Sequence, residues 1–70
     1  MHRDPVSSSN LRSVGYDPVE KVLEIEFKEN RVYQYYDVPE HVYKGLMTAA
    51  SKGSYFDAHI KYAFQTRRIT

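Results

Sequence analysis

Leu23, Ile25 and Phe27 alternate with Glu24, Glu26 and Lys28. That period-two pattern predicts a strand over Lys21–Lys28 with one apolar face and one polar face. Val32–Tyr36 follows as its hairpin partner, and the length of the turn decides the register. A two-residue turn at Glu29-Asn30 sets Phe27 opposite Val32 and turns Tyr33 and Tyr35 toward the glutamates. A three-residue loop, Lys28-Glu29-Asn30, pairs Phe27 with Arg31, Ile25 with Tyr33 and Leu23 with Tyr35. The longer loop needs a left-handed residue at its third position, which asparagine tolerates. A one-residue slip moves every side chain to the other face. The three-residue loop is favoured because a small core needs both tyrosines on the Leu23/Ile25/Phe27 side.

Upstream, Leu11–Tyr16 is a weaker strand, with Gly15 marking a bulge or a close backbone approach. Asp17-Pro18 then turns the chain. Downstream the period changes. Asp37 with Glu40 three positions later has capping-box spacing, and Pro39 is tolerated in a first turn. A helix is predicted to about Ser51, with Val42, Tyr43, Leu46, Met47, Ala49 and Ala50 as its stripe. Gly53 is expected to close it as a left-handed cap. Ser54 is expected to cap a second helix carrying Phe56, Ile60, Ala63 and Phe64 on one face. The predicted fold is α+β: a three-stranded antiparallel β-meander followed by two α-helices packed on one face, in the order β-β-β-α-α. One domain over 6–68 is expected, with tails at 1–5 and 69–70.

Composition narrows the chemistry. Seventy residues without a cysteine leave no disulfide or thiolate metal site to staple a small core. Seven tyrosines and no tryptophan make tyrosine the main aromatic filler. No apolar run is long enough for a membrane helix, and the first residues lack the apolar stretch of a secretion signal, so a cytoplasmic setting is expected. Net charge is +1. Residues 40–70 hold five bases against two acids, so the second half is mildly basic.

No catalytic set stands out. His2, His41 and His59 are far apart, with no metal-ligand spacing. Glu24 and Glu26 read as a solvated sheet face. The function expected is therefore a non-enzymatic binding module with no cofactor or metal. Its best candidate site is Ser51, Lys52, Gly53 and Ser54, where free N–H groups at a helix start, two hydroxyls and an ammonium suit a phosphate. The same four residues also read as an ordinary cap between two helices. His59, Arg67 and Arg68 extend a basic track beyond them. Val32 and Tyr36 are expected on the open sheet face as a contact patch. RNA or another nucleic acid is the first partner considered. The alternatives are a protein partner on the sheet face or edge, a small nucleotide-like ligand, and an edge-strand homodimer.

The ordered series of motifs is similar to the KTSC domain. It comprises Ser7-Ser8 with Leu11, Val14-Gly15-Tyr16-Asp17, Leu23/Ile25/Phe27, Tyr33-Gln34-Tyr35, Asp37-Val38-Pro39 and Ala50-Ser51-Lys52-Gly53-Ser54-Tyr55-Phe56, ending with Ile60 and Phe64. The resemblance spans about residues 6 to 68. It departs at Asn30, where the family commonly has a turn glycine, and at Phe64, where tyrosine is usual. The resemblance implies a small module that also occurs at the C-terminus of some lysyl-tRNA synthetases, free-standing in bacteria and phages. That synthetase context implies RNA binding.

Overall fold

The alternating segment forms a strand at Val22–Phe27 and pairs antiparallel with Arg31–Tyr35. Their register sets Phe27 opposite Arg31, Ile25 opposite Tyr33 and Leu23 opposite Tyr35. The connection is the three-residue turn Lys28–Asn30, in which both Glu29 (φ 70°) and Asn30 (φ 61°) are left-handed. Leu11–Asp17 pairs with the other side of Val22–Phe27. An irregularity between Leu11 and Ser13 absorbs one residue, so Leu11 and Val14 both reach the apolar face.

The computed structural model, which describes residues 1–70, adds two strands to the expected three. In chain order the strands are β1 (Asp4–Pro5), β2 (Leu11–Asp17), β3 (Val22–Phe27), β4 (Arg31–Tyr35) and β5 (Thr66–Arg68). They lie in that spatial order, each antiparallel to its neighbour. The expectation of a three-stranded meander is thus corrected to five strands. The segment read as an N-terminal tail carries β1. The C-terminal tail continues the β5 pairing, with the Ile69 N–H donating to the Val32 carbonyl at 2.8 Å. Both added strands are two or three residues long with exposed side chains, held by main-chain pairing and by a few side-chain bonds such as the Thr66 hydroxyl donating to the Gln34 carbonyl at 2.9 Å.

Gly15 admits β1. A Cβ there would stand 2.3 Å from the His2 carbonyl oxygen. The glycine serves a close backbone approach, one of the two uses its position predicted.

The helices are α1 (Glu40–Thr48) and α2 (Lys52–His59). The expected Asp37 capping box does not form: Pro39 occupies the N-cap and makes no side-chain bond. Asp37 is instead left-handed (φ 57°), turning the chain from β4 so that Val38 drops into the core. The Tyr16 hydroxyl donates to the Val38 carbonyl at 2.5 Å and fixes that entry. The helix ends at Thr48, short of Ser51. Gly53 lies inside α2 and has no positive φ, so it is no left-handed cap. Ser51 is the N-cap, its Oγ accepting from the Ser54 N–H at 3.3 Å.

The two helices cover the inner sheet face. Leu11, Val14, Leu23, Ile25, Val38, Leu46 and Ile60 are at most 1% exposed and form the aliphatic centre. Aromatic rings lock the rest. Phe56 meets Phe27 edge-on at 5.1 Å and Tyr35 at 5.6 Å, while Tyr16 stacks on Tyr43 at 4.8 Å. No helix is long and apolar enough to cross a membrane.

Candidate functional site

Beside the core, at the hairpin end of the inner face, the aromatic packing opens into a cleft of about 270 Å³. Phe27, Tyr33, Tyr35 and Phe56 line it, together with Asn10, Arg31, Asp57 and Lys61. Its volume lies just under the usual lower bound of about 300 Å³ for drug-sized ligands, so it suits one small ring. The β3–β4 hairpin, α2 with the turn after it, and the loop before β2 build it. Strands β3 and β4 supply Phe27 with Arg31 and Tyr33, because Phe27 faces Arg31 in the hairpin register. Helix α2 supplies Phe56 and Asp57, and the turn after it supplies Lys61. The loop before β2 supplies Asn10.

The rings meet edge to face: Phe27 and Tyr33 lie 5.8 Å apart at 77°. Tyr35 is 4% exposed and acts as a core plate, whereas Tyr33 is only half-buried. The rim is polar and little committed. The Arg31 guanidinium stands 5.8 Å from the Phe27 ring centre, and its Nε is buried with no hydrogen-bond partner. The nearest carboxylate to that Nε is Glu29, at 3.8 Å. The Lys61 ammonium lies 5.4 Å from the Tyr62 ring, and Tyr62 is 89% exposed. Arg68 is opposite Tyr33 in register, so it shares the inner face next to the cleft.

The outer face is a second polar assembly. Glu24 is 4% exposed, so the expected solvated glutamate face is corrected. The cause is the N-terminal strand: the Arg3 guanidinium donates to Glu24 Oε2 and to Ser13 Oγ, the latter at 3.1 Å. Gln34 Nε2 donates to Glu24 Oε1 at 2.8 Å, and the Tyr36 hydroxyl donates to Gln34 Oε1 at 3.0 Å. Ser13 donates onward to Glu26 at 2.8 Å. Each buried polar group of Glu24 is thereby met, as burial requires.

The residues singled out in the sequence are dispersed. The Ser51 and Ser54 hydroxyls bond each other at 3.0 Å, and the Lys52 ammonium donates to the Ala49 carbonyl at 3.4 Å. The serines cap α2, and the lysine ties it to the end of α1. His59 sits at the opposite end of α2, against the Tyr55 ring at 4.5 Å. Arg67, opposite Gln34, lies on the outer face, while Arg68 lies on the inner one. Arg67 and Arg68 belong to a strand, not to the basic end of a helix. Tyr36 is half-buried in the outer network. Val32 is 5% exposed, which corrects its reading as an open patch: the chain beyond β5 runs alongside it.

The cleft itself was missed, because its residues come from four separate stretches of sequence. Two partial signals were available: Asp57 and Lys61 are four apart, and Phe27 and Arg31 are paired in the favoured register. No three His, Asp or Glu side chains gather as metal ligands would. Two tyrosines titrate abnormally. Burial pushes the Tyr35 hydroxyl above the ordinary tyrosine value, with the Thr66 hydroxyl pulling back and Tyr33 adding to the rise. Tyr16 is also raised, first by burial and then by the charges of Glu40 and Asp17.

Comparison with known proteins adds a family. The KTSC domain matches residues 7–64. The crystal structure of a KTSC domain protein from Yersinia pestis superimposes with a TM-score of 0.96 at 49% identity, covering 99% of this chain and 97% of that one. An uncharacterised protein of Stutzerimonas stutzeri is 43% identical over 61 residues, 87% of this chain and 86% of the relative. A lysine–tRNA ligase of Nostoc sp. is 34% identical over 62 residues, which is 89% of this chain and 11% of the ligase.

Proposed function

The chain belongs to the KTSC domain family, and from that premise we propose that it is a binding module, not an enzyme, taking single-stranded RNA on its aromatic cleft. The carrying observation is the cleft: four aromatic rings beneath a rim that holds Arg31 and Lys61. Aromatic side chains stack on unpaired bases irrespective of sequence, and adjacent cations follow the phosphates. The half-buried Tyr33 is the ring free to stack, and Arg68 beside it extends the positive rim. The lysine–tRNA ligase relative is named for a reaction on tRNA, which supports RNA over DNA. The Ser51–Ser54 cap is a weaker anchor for phosphate, because its hydroxyls and ammonium are engaged within the chain.

Fluorescence anisotropy with labelled single-stranded RNA across a salt series tests this reading. Three cations on the strand predict a log–log salt slope of about −2. Lys61→Ala is expected to weaken binding and flatten the slope by about 0.7. Lys52→Ala is expected to change neither. Absence of salt-sensitive binding to any RNA refutes the proposal.

A second reading rests on β5. Its three residues are exposed and one of its edges is unpaired, which suits strand addition by a protein partner or a second copy. Light scattering that finds a dimer lost on Thr66→Pro, which removes an N–H facing the free edge, favours that reading.

A further inference from the structure

We propose, on the basis of the RNA reading above, that the cleft accepts one unstacked base and that Asp57 and Arg31 together select guanine. The space suits one base in size, at about 270 Å³ over Phe27, Tyr33, Tyr35 and Phe56. A purely apolar cup would accept any ring. The rim of this one carries opposite charges: Asp57 is its one anion, and Arg31 and Lys61 are its cations. The Asp57 carboxylate makes no hydrogen bond or ion pair within the protein, and Arg31 Nε is a buried donor without a hydrogen-bond partner, its nearest carboxylate being the exposed Glu29 at 3.8 Å. An unmet buried donor costs free energy until an acceptor arrives.

Base chemistry then discriminates. A carboxylate accepts only, so it needs a base edge presenting donors. Guanine alone offers two adjacent donors, N1–H and the N2 amino group, on its Watson–Crick edge. Its other edge presents O6 and N7, the acceptor pair to which arginine binds in bidentate fashion. Guanine therefore satisfies an anion on one side and a guanidinium on the other. Adenine turns the N1 lone pair toward the carboxylate. Cytosine offers one amino group beside an acceptor, and uracil offers one N–H between two carbonyls. Lys61, a point charge on a flexible stem, is left for the neighbouring phosphate and carries no base information.

The test uses the full chain and labelled uridine heptamers whose central position is G, inosine, A, C or U. The G-centred oligomer is expected to bind about tenfold more tightly than the A, C and U versions, the lower end for one forked pair at an open rim. Inosine, lacking the N2 amino group, falls between. Asp57→Asn is expected to shrink the preference for G from about tenfold to about threefold, because Arg31 still reads O6 and N7. It is also expected to raise affinity for the A, C and U oligomers by removing a charge that repels phosphate; circular dichroism checks its fold. Lys61→Ala is expected to weaken all five equally. Binding without base preference, or a preference undiminished by Asp57→Asn, overturns the guanine assignment and leaves the RNA reading standing. No binding of any oligomer overturns both. GMP competing as well as the G-centred heptamer overturns the choice of RNA as the ligand.

Discussion

Replacing Arg3 by alanine should destabilise the protein far more than its position three residues from the N-terminus implies. Arg3 gives the buried Glu24 carboxylate a charge-assisted hydrogen bond and reaches Ser13 Oγ at 3.1 Å. Charged hydrogen bonds contribute about 1.5–3 kcal/mol, and breaking a fully buried ion pair costs about 3–5 kcal/mol. The Arg3 side chain is 28% exposed, so water enters behind it and relieves part of the loss. Gln34 also keeps its 2.8 Å bond to Glu24. The expected cost is therefore about 2 kcal/mol, a fall in Tm of about 8–16 °C for a domain of this size. Urea unfolding followed by tyrosine fluorescence and circular dichroism measures it. Adding Glu24→Gln to Arg3→Ala should recover about half, because a neutral amide needs no cation. A cost below about 0.5 kcal/mol, typical of exposed pairs, would refute the reasoning and return β1 to the status of a tail.

Glu29→Gly should stabilise the hairpin by about 0.5 kcal/mol in the same assay. It relieves about 1 kcal/mol of left-handed strain at φ 70°, offset by the greater freedom of the unfolded chain. Gly45→Val should cost about 1–3 kcal/mol, because a Cβ at Gly45 falls 2.2 Å from the Tyr55 hydroxyl; Tyr55→Ala should rescue part of the loss. Tyr16 and Tyr35 are raised in the fold, so their protonated forms are favoured there. The sign follows: their contribution is complete below the unfolded tyrosine value near 10 and is lost as pH rises through the folded values. Thermal melts should be flat toward pH 10 and fall above it. The alkaline fall should be smaller in Tyr35→Phe.

The inner half of the fold was legible because its signals are local. Leu23/Ile25/Phe27 alternate, Asn30 tolerates a left-handed turn, and burying Tyr33 and Tyr35 permits one register. The ends were not legible. Strands of two or three residues such as β1 and β5 carry no alternation, and only the room left by Gly15 pointed toward β1. Glu24 looked solvated because nothing local says that Arg3 will cross above it. Asp37 with Glu40 had capping-box spacing, but burying Val38 and bonding Tyr16 to its carbonyl outweighs a cap worth about 1 kcal/mol. Gly53 looked like a helix end because glycine usually marks one; Ser51 had already started α2. The cleft was invisible as a unit, since Asn10, Arg31 and Lys61 converge only after the sheet and α2 are placed.

Residue-resolved amide chemical shifts, recorded while a G-centred single-stranded RNA heptamer is added, test the central claim most directly. Binding at the cleft predicts salt-sensitive shifts at Asn10, Arg31, Tyr33, Asp57 and Lys61, with Ser51–Ser54 left in place. Shifts concentrated at Ser51–Ser54, or no shifts at any RNA concentration, would contradict it.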